Sequence, residues 1–471
     1  MKTAEQGAVA PSIVGSEGHG ALKRSMKLLG TLLITVSAIT PASSVFIIAP
    51  GVIQQAGSGA FLSFVAAAIV GVFMAYVYAE LSSAFPISGG EYAIVGRTVG
   101  PFAGFVVLGL VLVTLVLIVA VIALGVGTYL GAVFPDLPPA TTAAVTVIIA
   151  TFLAVLNIRT NAVVTGIFLA IEILALIVLS VLGFAHASRP ITDLLFHPMV
   201  LGGDGALAAA PVAAIGLATS VAIFSYNGYG QAVYFGEETQ DAPRHIARAI
   251  LWALAITVFA ELVPVTALLL GAPDLKELLG SQNMLGDFIT ARGGQTLNTI
   301  ISLAIALAIF NAVIAIILQV ARLLFSTARD RVWSPGLNRV LASTHKRFHS
   351  PWAATLVCGA LAAVACYVNL TLLFVITGTS LVVIYAALCF AAVIGRRTGS
   401  TSHGFYRMPL YPLPPLTAAA SLIYVGYANF LDPNIGRPSL GATFGIMLTA
   451  AVYYVVVLRR RGTWILRGPA D

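Results

Sequence analysis

The sequence is poor in charge: Asp, Glu, Lys and Arg together make up only 9% of its 471 residues, whereas 59% are hydrophobic. A water-soluble domain cannot bury so much apolar surface, because its exterior needs many more charged and polar side chains. The composition therefore excludes a soluble globular protein. It predicts an all-α membrane protein, since each crossing of the bilayer needs about 20 mainly apolar residues.

Cysteine is also scarce. Cys358, Cys366 and Cys389 lie in apolar runs without CxxC spacing, which argues against a disulfide framework or a thiolate metal site. We interpret them as small buried hydrophobic residues. The sequence shows no metal-ligand cluster, phosphate-binding loop or nucleophile–base pairing, so an enzyme is the weakest interpretation and we expect no cofactor and no metal.

The apolar residues fall into about twelve runs separated by short polar connections. The predicted spans, numbered 1 to 12 in chain order, cover residues 28–56, 59–85, 99–133, 140–157, 162–187, 211–238, 245–271, 294–327, 352–368, 371–395, 414–431 and 440–458. The polar residues before the first span lack a signal-peptide cleavage site, which predicts an uncleaved tail.

The net charge of +7 could suggest a nucleic-acid partner, but its distribution argues against one. Most Lys and Arg residues lie on alternate connections of the twelve-span arrangement, and the opposite connections are richer in Asp and Glu. This asymmetry is typical of cytoplasmic loops in membrane proteins. We therefore expect an integral protein of the cytoplasmic (inner) membrane with both termini in the cytoplasm, and a lipid bilayer rather than nucleic acid as its partner.

Two spans contain helix-breaking residues near their middle. Span 1 carries the run PASS, which begins at Pro41, and span 6 carries NGYG, which begins at Asn227. Proline removes one backbone hydrogen bond of a helix, and in lipid the freed groups must be satisfied by protein or by a water-filled cavity. One break alone could be a simple proline kink. Two breaks five spans apart predict an inverted repeat, spans 1–5 and 6–10, with a substrate site between the broken helices.

The ends of broken helices suit a zwitterion, because an N-terminus presents N–H groups and partial positive charge while a C-terminus presents carbonyls. We expect Ser43 and Ser44 to face a substrate carboxylate. Carbonyl groups near Thr40, Phe224 and Asn227 are expected to face its ammonium group. Such a site needs no fixed charged side chain, which would be costly to bury in a bilayer.

Three long runs resemble the amino acid, polyamine and organocation transporter superfamily, of the amino acid permease type: AYVYAELSSAFPISGGEYAIVGRTVGPFAGF from Ala75, FSYNGYGQAVYFGEETQDAPRHIARAI from Phe224, and ARLLFSTARDRVWSPGLNRVLASTHKRFHSP from Ala321. The resemblance implies alternating access by a ten-helix core with broken helices 1 and 6. The expected organisation is a cytoplasmic tail (1–27), the transport core (28–398), peripheral helices 11 and 12 (399–458) and a second cytoplasmic tail (459–471).

Carried over to this chain, the resemblance implies substrate contacts at Thr40, Ser43 and Ser44, and an aromatic gate at Phe224. The break in span 1 departs from the pattern, because many members have a glycine-rich turn where this chain has PASS. Glycine permits close approach of a ligand to the backbone and positive φ angles, and serine permits neither as readily. Phe224 could alternatively be an ordinary packing residue.

Glu172 lies near the middle of span 5 without a basic residue within a helical turn. A buried carboxylate there is expensive unless it is protonated, paired or hydrated, so Glu172 is a candidate proton carrier; a structural hydrogen bond to a neighbouring helix is the alternative. Several members of the superfamily have a lysine at this position. Span 8 offers Asn311 and Gln319 but no hydroxyl over its middle, which favours protons or plain exchange over sodium.

Glu261, in span 7, is the second deeply placed acid and a second candidate for proton coupling. It precedes Pro264 by one helical turn and could instead bond backbone groups freed by that proline. Glu80 lies near the cytoplasmic end of span 2, where we expect it to pair with a loop arginine such as Arg97 or Arg244 and to serve an inner gate.

The leading hypothesis is a secondary active transporter for an amino acid, coupled to protons or working by exchange. A polyamine or monoamine carrier is the alternative, in which Glu172 or Glu261 would meet an ammonium group directly. A channel or a non-transporting membrane sensor is a weaker alternative, because the polar residues cluster at mid-depth instead of lining a path.

Overall fold

The computed structural model describes residues 22–131, 134, 136–203, 205–462, 464 and 466. Parts of the two predicted cytoplasmic tails therefore lie outside the described residues, namely 1–21, 463, 465 and 467–471. The described chain is mainly helical. Its helices follow the predicted apolar runs because a backbone in lipid must satisfy its own hydrogen bonds.

The first half of the chain covers predicted spans 1 to 5. Its helices are α1 (Leu28–Ile39), α2 (Pro41–Ser43), a π-helical turn (Ser44–Ile48), α3 (Ala49–Ala56), a 3₁₀ turn (Gly57–Gly59), α4 (Ala60–Ala84), α5 (Glu91–Thr98), α6 (Pro101–Gly131), α7 (Pro139–Ala154), α8 (Ile158–Ala185) and α9 (Ile191–Phe196).

The second half begins with a small hairpin of β1 (Met199–Leu201) and β2 (Leu207–Ala209), paired antiparallel with Val200 opposite Ala208. The helices that follow are α10 (Val212–Ser225), a 3₁₀ segment (Tyr229–Phe235), α11 (Ala242–Gly271), α12 (Leu275–Gly280), α13 (Met284–Arg329), α14 (Pro335–Leu341), α15 (Trp352–Ala365), α16 (Leu370–Thr377), α17 (Ser380–Thr398), α18 (Leu413–Leu431), α19 (Gly436–Tyr453), a π turn (Tyr454–Leu458) and α20 (Arg459–Arg461).

Within the described residues, eight helical segments are long and apolar enough to cross a membrane. The first, Leu28–Ala84, has 57 residues, enough for two crossings of about 20 residues each. The apolar helices α7 and α15 are shorter. The all-α membrane fold is therefore confirmed, while the count of twelve spans and the inverted repeat stay predictions.

Span 1 is broken where its proline predicts a break. Thr40 has φ 51°, in the left-handed region, and caps the end of α1 with its N–H bonded to the carbonyl oxygen of Val36, while Pro41 disfavours the right-handed helical region for the residue before it. Helix α1 therefore ends at Ile39. The chain resumes a helix at Pro41, a favoured first position, since proline lacks the N–H that would be unsatisfied there.

Span 6 is broken by glycine. Helix α10 ends at Ser225, and Gly228 has φ 121°, a conformation that side-chain-bearing residues rarely adopt. A Cβ atom at Gly228 would lie 2.9 Å from Cγ1 of Ile39. Glycine therefore supplies the turn and also lets the break in span 6 approach the break in span 1.

The two broken helices are enclosed by continuous ones. Helix α1 packs against α8, α11 and α13, and α11 also packs against α4. Helices α8 and α11 approach closely at Gly183, where a Cβ would lie 2.3 Å from the carbonyl oxygen of Ala267. Small residues of this kind allow tight packing between membrane helices. The breaks consequently face protein.

Candidate functional site

The breaks of spans 1 and 6 meet in the protein interior. The hydroxyl of Ser44 donates a hydrogen bond to the carbonyl oxygen of Ser225, 2.9 Å away, and both side chains are buried. This bond joins the restarted helix of span 1 to the end of α10. The structure therefore forms one junction from the two interruptions.

Glu172, on α8, reaches this junction and is fully buried. Its Oε1 atom accepts a hydrogen bond from the backbone N–H of Ala42 at 2.8 Å and another from the hydroxyl of Thr40 at 3.3 Å. A carboxyl group is favoured at a helix start by the unpaired N–H groups and the positive end of the helix dipole. The sequence drew attention to Glu172, but not to this partner in span 1.

Glu261, on α11, approaches the same junction from another side. It accepts a hydrogen bond from the hydroxyl of Ser225, so the bond that the structure gives it comes from span 6 and not from backbone freed by Pro264. Within the described chain, Oε2 of Glu172 and Oε1 of Glu261 have no hydrogen-bond partner. No described Lys, Arg or His forms an ion pair with either acid.

The other predicted binding residues lie around the junction and differ in their burial and hydrogen bonding. Ser43 is 4% exposed, and its hydroxyl has no hydrogen-bond partner among the described residues. Phe224 is half-buried near the end of α10. The side-chain oxygen of Asn227 accepts a hydrogen bond from the hydroxyl of Tyr385. Ser43 therefore retains hydrogen-bonding capacity that Ser44 and Asn227 use within the protein.

The predicted gate residue Glu80 forms an ion pair, although the expected partners were wrong. Arg396, at the end of α17, donates two hydrogen bonds to Glu80, at 2.7 and 2.6 Å. Arg97 instead contacts the carbonyl oxygen of Leu466, and Arg244 pairs with Asp241. The partner of Glu80 comes from a distant part of the chain, which residue spacing could not reveal.

Two further ion pairs bind α13 to the C-terminal end of span 6. Arg322 donates to both carboxylate oxygens of Glu238, at 2.5 and 3.0 Å, and Arg329 donates to both of Glu237, at 2.6 and 2.9 Å. Bidentate contacts of this kind are strong and geometrically specific. They hold the C-terminal part of span 6 against span 8, on the side of the membrane that the charge distribution predicts to be cytoplasmic.

Arg322→Met should strongly destabilise the protein, because it leaves the buried Glu238 carboxylate without its partner. The expected loss of folding free energy is about 3–5 kcal/mol, observed as a lower thermal midpoint of the purified protein. Arg244→Met is the matched control: its pair with Asp241 is 3.6 Å long and about half exposed, so the change should stay within about 1 kcal/mol. Equal midpoints for the two variants would contradict this assignment.

A buried acid that the sequence analysis did not select lies beside span 6. Glu91, the first residue of α5, accepts hydrogen bonds from the hydroxyls of Tyr78, at 3.0 Å, and Tyr234. Burial raises the pKa of the Glu91 carboxyl, and the hydrogen bonds from the two tyrosines oppose that rise only in part. The run SGGEY marks this residue in the sequence, but nothing there shows that three spans enclose it.

The chain matches the amino acid permease family over residues 26–457 and belongs to that family. It is 29% identical to an uncharacterized transporter of Mycobacterium tuberculosis over 348 residues, 73% of each chain. It is 22% identical to a branched-chain amino acid permease of Bacillus subtilis (strain 168), covering 95% of this chain and 96% of that one. It is 28% identical to Asc-type amino acid transporter 1 of Homo sapiens, covering 74% and 66% of the two chains.

These matches confirm the family that the three sequence runs indicated. Together with the apolar helices, they identify the chain as an integral membrane transporter. The junction of the broken helices is therefore the place in this structure where a substrate site is to be sought.

Proposed function

We propose that this protein is a secondary active transporter that carries an amino acid across the cytoplasmic membrane by alternating access. In this proposal it has about twelve spans, a 5+5 inverted-repeat core and both termini in the cytoplasm. The observation that carries the proposal is the junction itself: two membrane helices are interrupted at positions that approach each other, at Ile39 and Gly228.

The junction offers the two kinds of group that an amino acid backbone requires. The helix that restarts at Pro41 presents its N-terminal end and the unpartnered hydroxyl of Ser43, which suit a carboxylate. The end of α10 at Ser225 presents carbonyl groups, which suit an ammonium group. Thr40, Ser44 and Asn227 complete the proposed binding set.

Phe224 is the proposed aromatic gate over the bound substrate, and Glu80 is proposed for the inner gate. The half-buried ring of Phe224 lies one residue before the end of α10. A side chain next to a helix break can change its position with little disturbance of the surrounding packing, because the backbone there is not held by the regular helical hydrogen bonds.

Proton coupling is proposed to reside in Glu172 and Glu261. A substrate carboxylate at Ser43 would lie near two acids in a region of low dielectric, where like charges repel strongly. Protonation of Glu172 removes one of those charges. Substrate binding and proton uptake then favour each other, which is the requirement for symport.

The names of the relatives support an amino acid as the substrate class. Two of the three relatives above are named as amino acid carriers, a branched-chain permease and an Asc-type transporter.

Counterflow in liposomes tests this proposal. The purified protein, reconstituted with unlabelled amino acid inside, is expected to accumulate the labelled amino acid transiently and saturably. The same measurement with monoamines and polyamines, which lack a carboxylate, should give no accumulation. Non-saturable flux would instead indicate a channel, and no flux with any member of the panel would reject the transporter proposed here.

An amine carrier is the second candidate, because Glu172 and Glu261 each retain an unpartnered oxygen and no described basic residue pairs with them. An ammonium group could bind between two such acids without a carboxylate partner. Thermal protection by amines in the absence of amino acids would favour this candidate. Protection by amino acids alone would eliminate it.

A further inference from the structure

Glu91 is a buried acid enclosed by tyrosines. It is 5% exposed, and its two carboxylate oxygens accept separate hydrogen bonds, Oε1 from Tyr78 and Oε2 from Tyr234. Both oxygens therefore face hydroxyl groups that can donate to an ionised carboxylate.

An ionised carboxylate in a buried position requires a positive charge nearby. None of the ion pairs in the described part of the chain includes Glu91. The two tyrosine hydroxyls stabilise the charge by hydrogen bonding but do not neutralise it. The described part of the protein therefore supplies no cation for an ionised Glu91, and a cation bound beside this carboxyl would favour the ionised form.

A small cavity borders Glu91 and contains further oxygen atoms. Thr114, on α6, is fully buried and lines this cavity, as does Gln231 in the 3₁₀ segment after Gly228. The hydroxyl of Thr114 and the side-chain oxygen of Gln231 have no hydrogen-bond partner among the described residues. Unpartnered buried oxygens are costly and rare in folded proteins, so their presence around one cavity calls for an occupant.

The size and chemistry of the cavity select the kind of occupant. It has room for about one water-sized particle, so an amino acid does not fit. Its polar groups include one carboxylate and neutral oxygens from a hydroxyl and an amide, and oxygen donors of this type suit hard cations. One positive charge would balance the single negative charge of an ionised Glu91.

We propose that the cavity bordered by Glu91, Thr114 and Gln231 is a binding site for a small monovalent cation, with sodium as the first ion to test. The site lies between spans 3, 6 and 10 and the α5 connection, and it shares Asn227 with the proposed substrate-binding set. It goes beyond the proposed function, since ion binding to the purified protein is measured without substrate.

The site also has a structural relation to span 6. Gln231 follows the break at Gly228, and Asn227 before it lines the same cavity. An ion held there joins the 3₁₀ segment after the break to α5 and α6. Occupancy should therefore stabilise one arrangement of this segment.

Thermal stability in different salts tests the site. The full chain, purified in detergent, is heated in increasing sodium chloride, with choline chloride keeping the ionic strength constant, and in parallel series with potassium and ammonium chloride. We expect a saturable rise of the thermal midpoint by about 2–4 °C with the cation that fits. A response to potassium or ammonium but not sodium supports the site and identifies its occupant.

Two variants link the response to the cavity. Glu91→Gln should abolish the saturable rise, and Thr114→Val, which removes one oxygen and keeps the shape, should weaken the apparent affinity about tenfold. Glu277→Gln is the control, because Glu277 is exposed on α12 and far from the cavity in sequence and fold; it should respond like the unmodified protein.

The proposal is overturned if the unmodified protein responds to none of the three cations. It is also overturned if Thr114→Val shows an unchanged apparent affinity for the cation. If Glu91→Gln fails to fold, the Thr114→Val result alone tests the proposed site. A cation response without amino acid counterflow would reject the proposed function and leave the cation site standing, so the two failures can be told apart.

Discussion

Replacing Ser43 with leucine is expected to abolish substrate counterflow and substrate-induced thermal protection. Ser43 is 4% exposed, so the larger side chain fills the space beside the helix start at Pro41 and removes the hydroxyl proposed to bind the substrate carboxylate. Some loss of stability accompanies the change, since overpacking a buried position costs about 1–3 kcal/mol. Counterflow and the thermal midpoint with and without substrate measure both effects.

A smaller change separates loss of binding from loss of folding. Ser43→Ala removes only the hydroxyl, and because a hydrogen bond to a charged group contributes about 1.5–3 kcal/mol, it should weaken substrate affinity about 10- to 150-fold. Ser421→Leu is the control for bulk, since Ser421 is half-buried on the peripheral helix α18 and bonds only within that helix. Normal substrate affinity in both Ser43 variants would show that the substrate binds elsewhere in the protein.

Replacing Glu172 with glutamine is expected to abolish accumulation driven by a pH gradient while leaving exchange. The amide oxygen of glutamine can still accept from the N–H of Ala42, which lies 2.8 Å from Oε1 in the structure, but the side chain no longer takes up a proton. A gradient of one pH unit corresponds to about 1.4 kcal/mol per proton, or about tenfold accumulation. In the variant this ratio should fall to about one.

The proton experiment has a matched control and a clear contrary result. Glu277→Gln removes an exposed acid and should accumulate substrate as the unmodified protein does. Glu261→Gln addresses the second candidate acid, which bonds to Ser225 on the other side of the junction. Unchanged pH-driven accumulation in the Glu172 variant would reject its role in coupling, and the same result in both variants would place coupling at another residue. Absence of pH-driven accumulation in the unmodified protein would favour plain exchange.

The two buried acids also link protonation to substrate affinity at a site that has no fixed positive charge. Thr40 and Ala42 both donate to Glu172, so this carboxyl occupies donors at the same helix start that is proposed to receive the substrate. A substrate carboxylate and an ionised Glu172 would compete there. This competition links substrate affinity to the protonation of Glu172.

Local residue chemistry explains which parts of the fold could be predicted. Pro41 and Gly228 act on their own backbone, through the conformations that proline and glycine impose or allow. The breaks in spans 1 and 6 were therefore predictable and are present at Thr40 and Gly228. The hairpin of β1 and β2 was not predicted, because its two strands have only three residues each and carry little pattern.

The partners of the charged residues could not be predicted, because they come from remote parts of the chain. Glu80 pairs with Arg396 instead of Arg97 or Arg244. Arg322 pairs with Glu238 from another span. Glu91 accepts hydrogen bonds from Tyr78 and Tyr234, which lie in two other parts of the chain. Sequence spacing within one helix contains no information on which distant helix lies opposite.

The sequence by itself determined that this is a helical membrane protein with two interrupted spans, because apolar length and helix-breaking residues act locally. Only the tertiary structure decided that the two interruptions meet, that Glu172 bonds to the restarted helix of span 1, and that Glu91 lies with Thr114 beside one small cavity. Those relations depend on how helices pack across the bilayer. Such packing is set by many weak contacts between distant residues, and no single residue pattern records it.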